Sequence, residues 1–245
     1  MQEWERKWKM EFHPEKCQVV KISNKLKLIN SDYQLHNQIL KETNNAKYLG
    51  VTIDNKLLWR DQHNAVCKKA NGTLAFLKRN ISGCPQHVKA KCYKALVKPI
   101  LNYGSSVWDP HYQKHIEEIE KIQKNAARFA TKNYNFTTGN TKINMDKLKW
   151  IPLEEQRARN KVTTLYKAIN GHLVLPMEQY NMKNSNTRSG VQNFTLPSSS
   201  INSHLHSYFP SSFRLWNKLP NETKLSVDTE EFKNKLGLTI LKSTY

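Results

Sequence analysis

The stretch HIEEIEKIQKNAARFATK, residues 115–132, has the pattern of one amphipathic helix and decides how the middle of the chain folds. Apolar or weakly polar side chains recur in it at helical spacing, as on a face that packs against a core: Ile116, Ile119, Gln123, Ala126 and Ala130. The opposite face carries four cations: Lys121, Lys124, Arg128 and Lys132. The stretch therefore predicts a helix with one buried face and one positively charged face. Taken alone, the charged face is equally compatible with an ordinary solvated surface.

Two helices are predicted between Trp59 and this stretch, because the hydrophobic period changes there from two to about 3.6 residues. The first helix has its apolar face at Val66, Ala70, Leu74 and Leu77. The second has its face at Val88, Cys92 and Leu96. It is expected to bend or end near Pro99, since a proline removes a helical hydrogen bond.

The chain after the quoted stretch is predicted to be mainly helical. Residues 133–144 are rich in Asn, Thr and Gly and are interpreted as a loop. Residues 151–171 predict a long helix, with a proline and two glutamates near its start and a glycine at its end. Residues 181–203 are polar and rich in Ser and Asn, which predicts a flexible segment, and residues 229–236 predict a last short helix.

The N-terminal residues have the patterns of a short helix followed by a strand. Trp4, Trp8 and Phe12 are spaced as one face of a helix. Pro14 then disfavours further helix, and CQVVKIS, residues 17–23, alternates as a β-strand does. The opening of the chain is therefore expected to run from helix into sheet.

Two further stretches predict β-structure before residue 60. YQLHNQIL, residues 33–40, predicts a hairpin that turns at Asn37–Gln38. AKYLGVTID, residues 46–54, predicts a strand with Gly50 in its middle, which indicates a bulge or a close backbone approach. The side chains of Leu49 and Val51 are expected to point inward.

The charge balance of the 245-residue chain favours a polyanionic partner. Lys and Arg number 39 against 20 Asp and Glu, a net charge of +19, which favours nucleic acid through counterion release from phosphates. A solvated, lysine-rich surface is the alternative, and an anionic membrane surface is a lesser one. No apolar run approaches the ~20 residues of a membrane span, and the N-terminus has no signal-peptide core. The chain is expected to be intracellular, in the nucleus or cytoplasm, with no membrane partner.

Nothing in the sequence assembles a complete active site. The six aspartates are scattered without an adjacent pair, and the phosphate-loop, nucleophile-elbow and zinc-protease motifs do not occur. The four cysteines form no C-x-x-C pair and are expected to be reduced thiols. His204 and His206 flank Leu205 in a polar stretch and are not expected to bind a metal. The residues alone therefore assign no metal ligand.

Four stretches, taken in order, resemble the reverse transcriptases of non-LTR retrotransposons, and most of all the LINE elements of the jockey-like group. The first three are MEFHPEKCQVVKIS (10–23), AKYLGVTIDNKLLWRDQHN (46–64) and CYKALVKPILNYGSSVWDPHYQKHIEEIEKIQKNAARF (92–129). The fourth, SYFPSSFRLWNKLP (207–220), resembles the tail of the same open reading frames. The resemblance covers nearly the whole chain, and its specificity comes from the order of the four stretches.

The resemblance implies an α+β fold in three parts. Residues 1–60 would be a palm remnant made of a small antiparallel β-hairpin that is similar to the primer grip. Residues 61–135 would be an α-helical thumb-like domain. Residues 136–245 would be a mainly helical C-terminal segment with the flexible part at 181–203.

The resemblance also implies roles for nine residues. Lys16 matches the family's lysine near the incoming triphosphate, where an ammonium group offsets charge that develops during phosphoryl transfer. Four residues match the primer grip: Tyr48, Leu49, Gly50 and Val51. Four match the thumb, which contacts a hybrid duplex through its backbone: Lys121, Lys124, Arg128 and Lys132. Lys16 would be catalytic only in the intact enzyme, and without the aspartates an ordinary strand-entry lysine is the simpler interpretation.

In this family, palm carboxylates hold two Mg²⁺ ions that carry out nucleotide addition. Those carboxylate motifs are not found in these residues, so the chain is expected to be a truncated C-terminal part that is no enzyme on its own and takes no cofactor. Its expected partners are RNA, DNA or an RNA–DNA hybrid, bound without sequence specificity. One alternative is a repurposed basic RNA-binding or complex-forming module without enzymatic activity. Another is a subunit that supplies the thumb to a separate palm and fingers polypeptide.

Overall fold

The computed structural model describes residues 2–23, 25, 31–177, 180, 182–183 and 192–239. It combines helices with short two-stranded sheets, which is consistent with the predicted α+β class. The chain divides into two compact units, Met1–Asn64 and Ala65–Tyr245. The assignment of palm and thumb parts at 1–60, 61–135 and 136–245 stays a prediction.

The described part of the N-terminal unit forms a short helix, a 3₁₀ turn and three pairs of short strands. The helix is α1 (Gln2–Trp8), and the 3₁₀ turn is Pro14–Lys16. The strands are β1 (Gln18–Val19), β2 (Gln34–Leu35), β3 (Gln38–Ile39), β4 (Lys41–Glu42), β5 (Asn45–Tyr48) and β6 (Val51–Asp54). Strand β1 pairs with β4 in parallel, whereas β2–β3 and β5–β6 are antiparallel hairpins. Of the strand predicted at residues 17–23, Gln18 and Val19 pair with β4.

Trp4, Trp8 and Phe12 contact one another, but not as one face of a helix. The helix ends at Trp8, since Lys9 has a left-handed φ of 49°, and Phe12 lies beyond it. The ring centroid of Trp4 is 6.4 Å from that of Trp8 and 5.2 Å from that of Phe12. The backbone N–H of Phe12 donates to Oε1 of Glu5 at 2.7 Å. This hydrogen bond to a carboxylate returns the chain to α1 and replaces the predicted third turn of helix.

The first hairpin turns one residue earlier than predicted. Its two turn residues are His36 and Asn37, with φ of 51° and 61°, in place of Asn37–Gln38. A two-residue hairpin turn of this kind needs a positive φ at both positions. Asn and His adopt that conformation more readily than most residues, which accounts for the position.

Residues 46–54 form a hairpin, so the prediction of one strand with a bulge at Gly50 is wrong. Leu49 and Gly50 make the turn with φ of 45° and 83°, and Tyr48 lies opposite Val51 in the register. A leucine at positive φ is uncommon, and this hid the turn from the sequence pattern. The inward orientation predicted for Leu49 is also wrong, since this side chain is 74% exposed, whereas Val51 is buried as predicted.

The C-terminal unit is mainly helical, and helix α2 leads into it. Its helices are α2 (Arg60–Asn80), α3 (Gln86–Cys92), α4 (Lys98–Asn102), α5 (Ser105–Trp108), α6 (Gln113–Thr131), α7 (Asn140–Lys147), α8 (Leu153–Ile169), α9 (Asn202–Leu205), α10 (Tyr208–Asn217), α11 (Asn221–Lys224) and α12 (Thr229–Leu238). A π-helical turn, Tyr93–Val97, joins α3 to α4. Two short strands, β7 (Met182–Lys183) and β8 (Asn193–Phe194), pair antiparallel. Within the described ranges, no helix is long and apolar enough to cross a membrane.

The apolar face predicted for α2 is confirmed, whereas the face of the next helix is displaced. Val66, Ala70, Leu74 and Leu77 are all buried. The π-helical turn ends just before Pro99 and α4 ends at Asn102, which is consistent with the expected bend or end near Pro99. The buried face of the second helix lies one residue later than the predicted one, at Lys89, Tyr93, Val97 and Leu101. Lys89 lay outside the predicted face, and its ammonium group lies over the Phe129 ring, 4.9 Å from the centroid.

The loop predicted at 133–144 is only partly a loop, because α7 begins at Asn140. Hydrogen bonds of asparagine side chains join α7 to the segment before it. The Nδ2 of Asn140 donates to the Asn135 carbonyl at 2.6 Å, and the Nδ2 of Asn133 donates to Oδ1 of Asn140 at 2.7 Å. Asn144 closes the network by donating to the Asn133 carbonyl at 3.1 Å. Asparagines favour turns in general, and here they satisfy the backbone at the start of a helix.

Helix α8 organises a second, aromatic core with the C-terminal elements. The predicted helices at 151–171 and 229–236 are confirmed as α8 and α12. Buried residues from α8, β8, α10 and α12 form the core: Ala158, Val162, Leu165, Tyr166, Phe194, Phe213, Leu215, Trp216, Leu219, Phe232 and Leu236. Of the segment predicted as flexible, residues 181 and 184–191 lie outside the described residues. Phe194, in the described remainder, is buried and stacks on Phe213 with ring centroids 4.1 Å apart.

Candidate nucleic-acid interface

Helix α6 has the two faces that its sequence predicts. The predicted core positions are all buried: Ile116, Ile119, Gln123, Ala126 and Ala130. Gln123 fixes the helix on both sides, because its Oε1 accepts from the Tyr93 hydroxyl at 2.9 Å and its Nε2 donates to the Ile151 carbonyl at 2.8 Å. Gln123 is therefore buried on the core face of α6 because both ends of its amide are hydrogen-bonded there.

Glu120 links α6 to the start of α8. Its Oε1 accepts a hydrogen bond from the backbone N–H of Glu154 at 2.8 Å, where the first amides of α8 have no partner within their own helix. Burial raises the pKa of Glu120, and the backbone amides of Glu154 and Leu153 oppose that shift. The carboxylate thus points toward the N-terminus of α8, where a negative charge is favourable.

Three of the four cations predicted on α6 are exposed, and the fourth is held in place. Lys121 and Lys124 project from the outer face, and Lys132 ends the helix with a left-handed φ of 55°. Arg128 is half-buried. Its Nη1 donates to Oδ1 of Asn125 at 3.0 Å, and its Nη2 donates to Oγ1 of Thr141 on α7 at 3.2 Å. The outer face of α6 is therefore cationic, but Arg128 also ties α6 to α7.

A groove of about 540 Å³ lies between α6, α7 and the start of α8. Lys124 lines it from α6, and Thr141 and Lys142 line it from the first turn of α7. Glu120 and Glu154 line it at the end where α6 meets α8. The groove is therefore lined by both lysines and carboxylates, and Thr141 joins it to the Arg128–Thr141 contact.

The β5–β6 hairpin presents most of the primer-grip match to solvent. Tyr48 and Leu49 are 66% and 74% exposed, and Gly50 is exposed beside them. Gly50 has a positive φ, which glycine adopts without strain, so the turn accounts for this glycine irrespective of any ligand. Val51 is buried and holds the hairpin. A role of these four residues in nucleic-acid contact stays a prediction.

Sequence reasoning missed Asp54, which ends the hairpin. Its Oδ1 accepts from the backbone N–H groups of Lys56 and Leu58 at 3.0 and 3.1 Å, and its Oδ2 accepts from that of Trp59 at 2.9 Å. Carboxylates commonly satisfy several amides before a helix, and the D-N-K spacing just ahead of α2 was the available signal. Asp54 therefore holds the link between the hairpin and α2.

Lys16 is exposed in the 3₁₀ turn that follows Pro14. It lies in the N-terminal unit with Tyr48–Val51, whereas the four cations on and after α6 lie in the C-terminal unit. The structure thus places the predicted residues in two groups, one in each unit. Their roles stay predictions.

A buried ion-pair cluster was also missed, although it includes the W-D-P part of the third matched stretch. Oδ1 of Asp109 accepts from Nε of Arg157 at 2.6 Å, and Oδ2 accepts from Nζ of Lys161 at 2.7 Å. Nζ of Lys161 also donates to Oγ of Ser211 at 3.2 Å. The charged side chains are almost fully buried. The cluster therefore ties the loop after α5 to α8 and α10, which explains how separated stretches of the sequence meet.

Two histidines stack beside this cluster. The rings of His111 and His206 are parallel within 3°, with centroids 4.2 Å apart. Burial, together with the charges of His111, Arg214 and Lys161, lowers the pKa of His206 to about 4. Burial also lowers the pKa of His111, with His115 and Lys161 adding to the shift and Asp109 opposing it. The stack therefore consists of two neutral imidazoles near neutral pH.

No protein-family model matches the chain, and no solved structure matches it. Over 164 residues it is 27% identical to the probable RNA-directed DNA polymerase from transposon BS of Drosophila melanogaster, which covers 64% of this chain and 18% of that protein. It is also 27% identical over 135 residues to the RNA-directed DNA polymerase from mobile element jockey of the same species, covering 52% and 14%. The jockey polymerase of Drosophila funebris is 27% identical over 132 residues, again covering 52% and 14%.

The chain spans less than a fifth of the length of these curated relatives. All three are RNA-directed DNA polymerases of mobile elements, and two are jockey polymerases. The resemblance to the jockey-like reverse transcriptases of non-LTR retrotransposons, which four stretches of the sequence indicate, is therefore confirmed.

Proposed function

We propose that this chain is a C-terminal part of a LINE-type RNA-directed DNA polymerase and that it binds nucleic acid without sequence specificity. In this proposal residues 1–60 are a palm remnant with a primer-grip-like hairpin, residues 61–135 are thumb-like, and residues 136–245 are a C-terminal segment. The observation that carries it is the outer face of α6, where Lys121, Lys124 and Lys132 are exposed above a firmly packed core face.

An RNA–DNA hybrid is the ligand that this surface fits best. Exposed lysines are flexible point charges that suit phosphates, and they give no geometry for reading a base edge. The buried face of α6 and the hydrogen bonds of Gln123 hold in place the helix that carries these lysines. Neutralising phosphates in this way releases counterions, so binding is expected at about micromolar Kd in low salt and to weaken steeply as salt rises.

The proposal assigns no polymerisation step to the chain on its own. Mg²⁺ needs carboxylate oxygens that are open to the ion. Asp54 accepts hydrogen bonds from three amides, and Asp109 is paired with two buried cations, so neither carboxylate is open to a Mg²⁺ ion. Primer extension with Mg²⁺ and nucleotides is expected to give no product, and a product traceable to this chain would overturn this part.

The binding test is a fluorescence anisotropy titration of a labelled blunt RNA–DNA hybrid at low and at moderate salt. The variant Lys121→Glu/Lys124→Glu leaves Arg128 and its two hydrogen bonds in place. It reverses two charges and is expected to weaken binding at low salt by about 10- to 100-fold.

The matched control is Lys68→Glu/Lys69→Glu, which makes the same charge change at two exposed positions of α2. It is expected to weaken binding much less if α6 makes the contacts. Equal losses in both variants would mean that net charge alone drives binding. Unchanged affinity in the α6 variant would refute the assignment of this face. Circular dichroism checks that both variants keep their helices.

A further inference from the structure

Phe136 is the most exposed aromatic side chain in the described part of the chain, at 81%. It lies in the segment between α6 and α7. Its ring lies against the guanidinium of Arg128, whose Cζ is 4.9 Å from the ring centroid. The ring is therefore supported on one side by a cation while most of its surface remains in contact with water.

The Arg128 side chain that lies against the Phe136 ring is held in place. Arg128 is held by Asn125 on its own helix and by Thr141 on α7, at 3.0 and 3.2 Å. A guanidinium with two hydrogen bonds loses little further freedom when a ligand arrives. The Phe136 ring thus has one face against a guanidinium that is held in place and most of its surface open to solvent; the two side chains are called the Arg–Phe platform below.

The α6–α7 groove adjoins the Arg–Phe platform through Thr141. Thr141 belongs to both, since it accepts from Arg128 and lines the groove. Lys124 and Lys142 line the same groove and can meet phosphates there. The acidic side chains Glu120, Asp146 and Glu154 also line it. Of these, Glu120 is engaged with the start of α8.

We propose that the Arg–Phe platform stacks an unpaired base of a nucleic-acid strand, whose neighbouring phosphates meet Lys124 and Lys142. This inference rests on the proposed nucleic-acid function and deepens it by naming a single-stranded element as the ligand. Aromatic rings and arginine planes stack on any base because every base has a flat π-face, and cations beside them hold the backbone. A base inside a duplex is already stacked on both sides, so the platform needs a base at an overhang or junction.

The test compares two labelled ligands with the full chain in anisotropy titrations. One is a blunt RNA–DNA hybrid, and the other is the same hybrid with a short single-stranded DNA overhang. Phe136→Ala is expected to weaken binding of the overhang ligand by about tenfold and to leave the blunt hybrid unchanged. Phe136→Trp is expected to keep or tighten binding of the overhang ligand.

Phe76→Ala is the matched control. Phe76 is an exposed phenylalanine on α2, at 53%, and its removal should change neither affinity. No effect of Phe136→Ala on either ligand would overturn the proposal, and an equal loss on both would do so too. If an acidic peptide displaced the overhang ligand with the same dependence on Phe136, the platform would be a protein-binding site and the proposal would be wrong.

The outcome also separates this inference from the proposed function. Loss of overhang preference in Phe136→Ala, with Lys121→Glu/Lys124→Glu still binding the blunt hybrid normally, would support the platform and refute the α6 face. Loss of blunt-hybrid binding in the α6 variant, with no effect of Phe136→Ala, would support the α6 face and refute the platform.

Discussion

Leu35 and Val51 are the buried hydrophobic side chains of the described N-terminal unit, whereas every other buried hydrophobic side chain lies in the C-terminal unit. Two-stranded pairs are marginally stable without a hydrophobic face to pack against. The N-terminal unit depends instead on hydrogen bonds, such as the one that Oε1 of Glu5 accepts from the Phe12 amide at 2.7 Å and the one it makes with Nε2 of His36 at 3.0 Å. Burial of hydrophobic and ionic side chains thus stabilises the C-terminal unit, and hydrogen bonds and turns stabilise the N-terminal unit.

The largest expected effect in the C-terminal unit comes from Asp109. Asp109→Ala leaves Arg157 and Lys161 buried without their counter-charge, and such a loss typically costs about 3–5 kcal/mol of unfolding free energy. Urea unfolding followed by tryptophan fluorescence measures it. If the alanine variant fails to fold, Asp109→Asn, which keeps an acceptor, should show a smaller loss in the same assay.

The control for Asp109 is Glu230→Gln, which breaks the exposed Lys233–Glu230 pair of α12. Exposed pairs contribute about 0–1 kcal/mol, so little change is expected. If Asp109→Ala were no more harmful than this control, burial of the ion pairs would not be a source of stability in the C-terminal unit.

The stacked histidines predict an intermediate effect, in the form of a pH dependence. Both have a folded pKa below the ordinary 6.5, so the unfolded chain takes up protons first as the pH falls. Their contribution to stability is complete above about pH 6.5 and is lost as the pH falls toward 4, the folded pKa of His206. After allowance for the solvent that reaches the pair, the loss is about 1 kcal/mol.

This pH dependence is measured by urea unfolding at a series of pH values. His206→Phe keeps an aromatic ring without a titrating group and should flatten the slope between pH 6.5 and 4. His87→Phe changes an exposed histidine on α3 and should leave the slope as it is. A slope that survives in His206→Phe would assign the pH response to other groups.

The smallest expected effects concern the turn of the β5–β6 hairpin. Gly50→Ala places a Cβ at a φ of 83° and should cost about 1 kcal/mol locally. Leu49→Asn replaces an exposed leucine at positive φ by a residue that favours this turn and should stabilise the hairpin by about 0.5 kcal/mol. Amide hydrogen exchange at Tyr48 and Val51 reports the change.

Unfolding of the C-terminal unit should be the same in both hairpin variants, which serves as the internal control. If Gly50→Ala lowered the stability of that unit as much as that of the hairpin, the two units would not be stabilised independently.

Where the sequence carries a local signal, the fold follows from it. The buried face of α6 and the bounds of α8 and α12 come from periodicity, a helix-starting proline and capping residues, all of which act within a few residues. The residue pattern missed the β5–β6 turn because a leucine takes the first left-handed position, against its own preference, whereas the resemblance implied a hairpin there. The start of α7 was missed because its asparagines are typical of loops, and here they hydrogen-bond to one another and to a carbonyl of the preceding segment.

The residues of the candidate site show the same difference between local and long-range signals. The cations of α6 were found because charge and helical period coincide. Asp109 pairs with residues 48 and 52 positions away, and no local pattern reports such a partner. Lys89 lay outside the predicted face of its helix; a lysine is seldom buried, and here its ammonium group lies over the Phe129 ring. Long-range pairing of charged groups was therefore the part that could not be derived from the sequence.

The dependence of α8 on α10 and α12 has a consequence for synthesis on the ribosome. Helix α8 emerges well before Phe213 and Phe232, which cover its apolar face in the finished unit. During that interval Val162 and Tyr166 are available to chaperones and proteases. A chain that ended before α10 would carry every cation of α6 but an uncovered α8, and we expect it to be a substrate for chaperones and proteases.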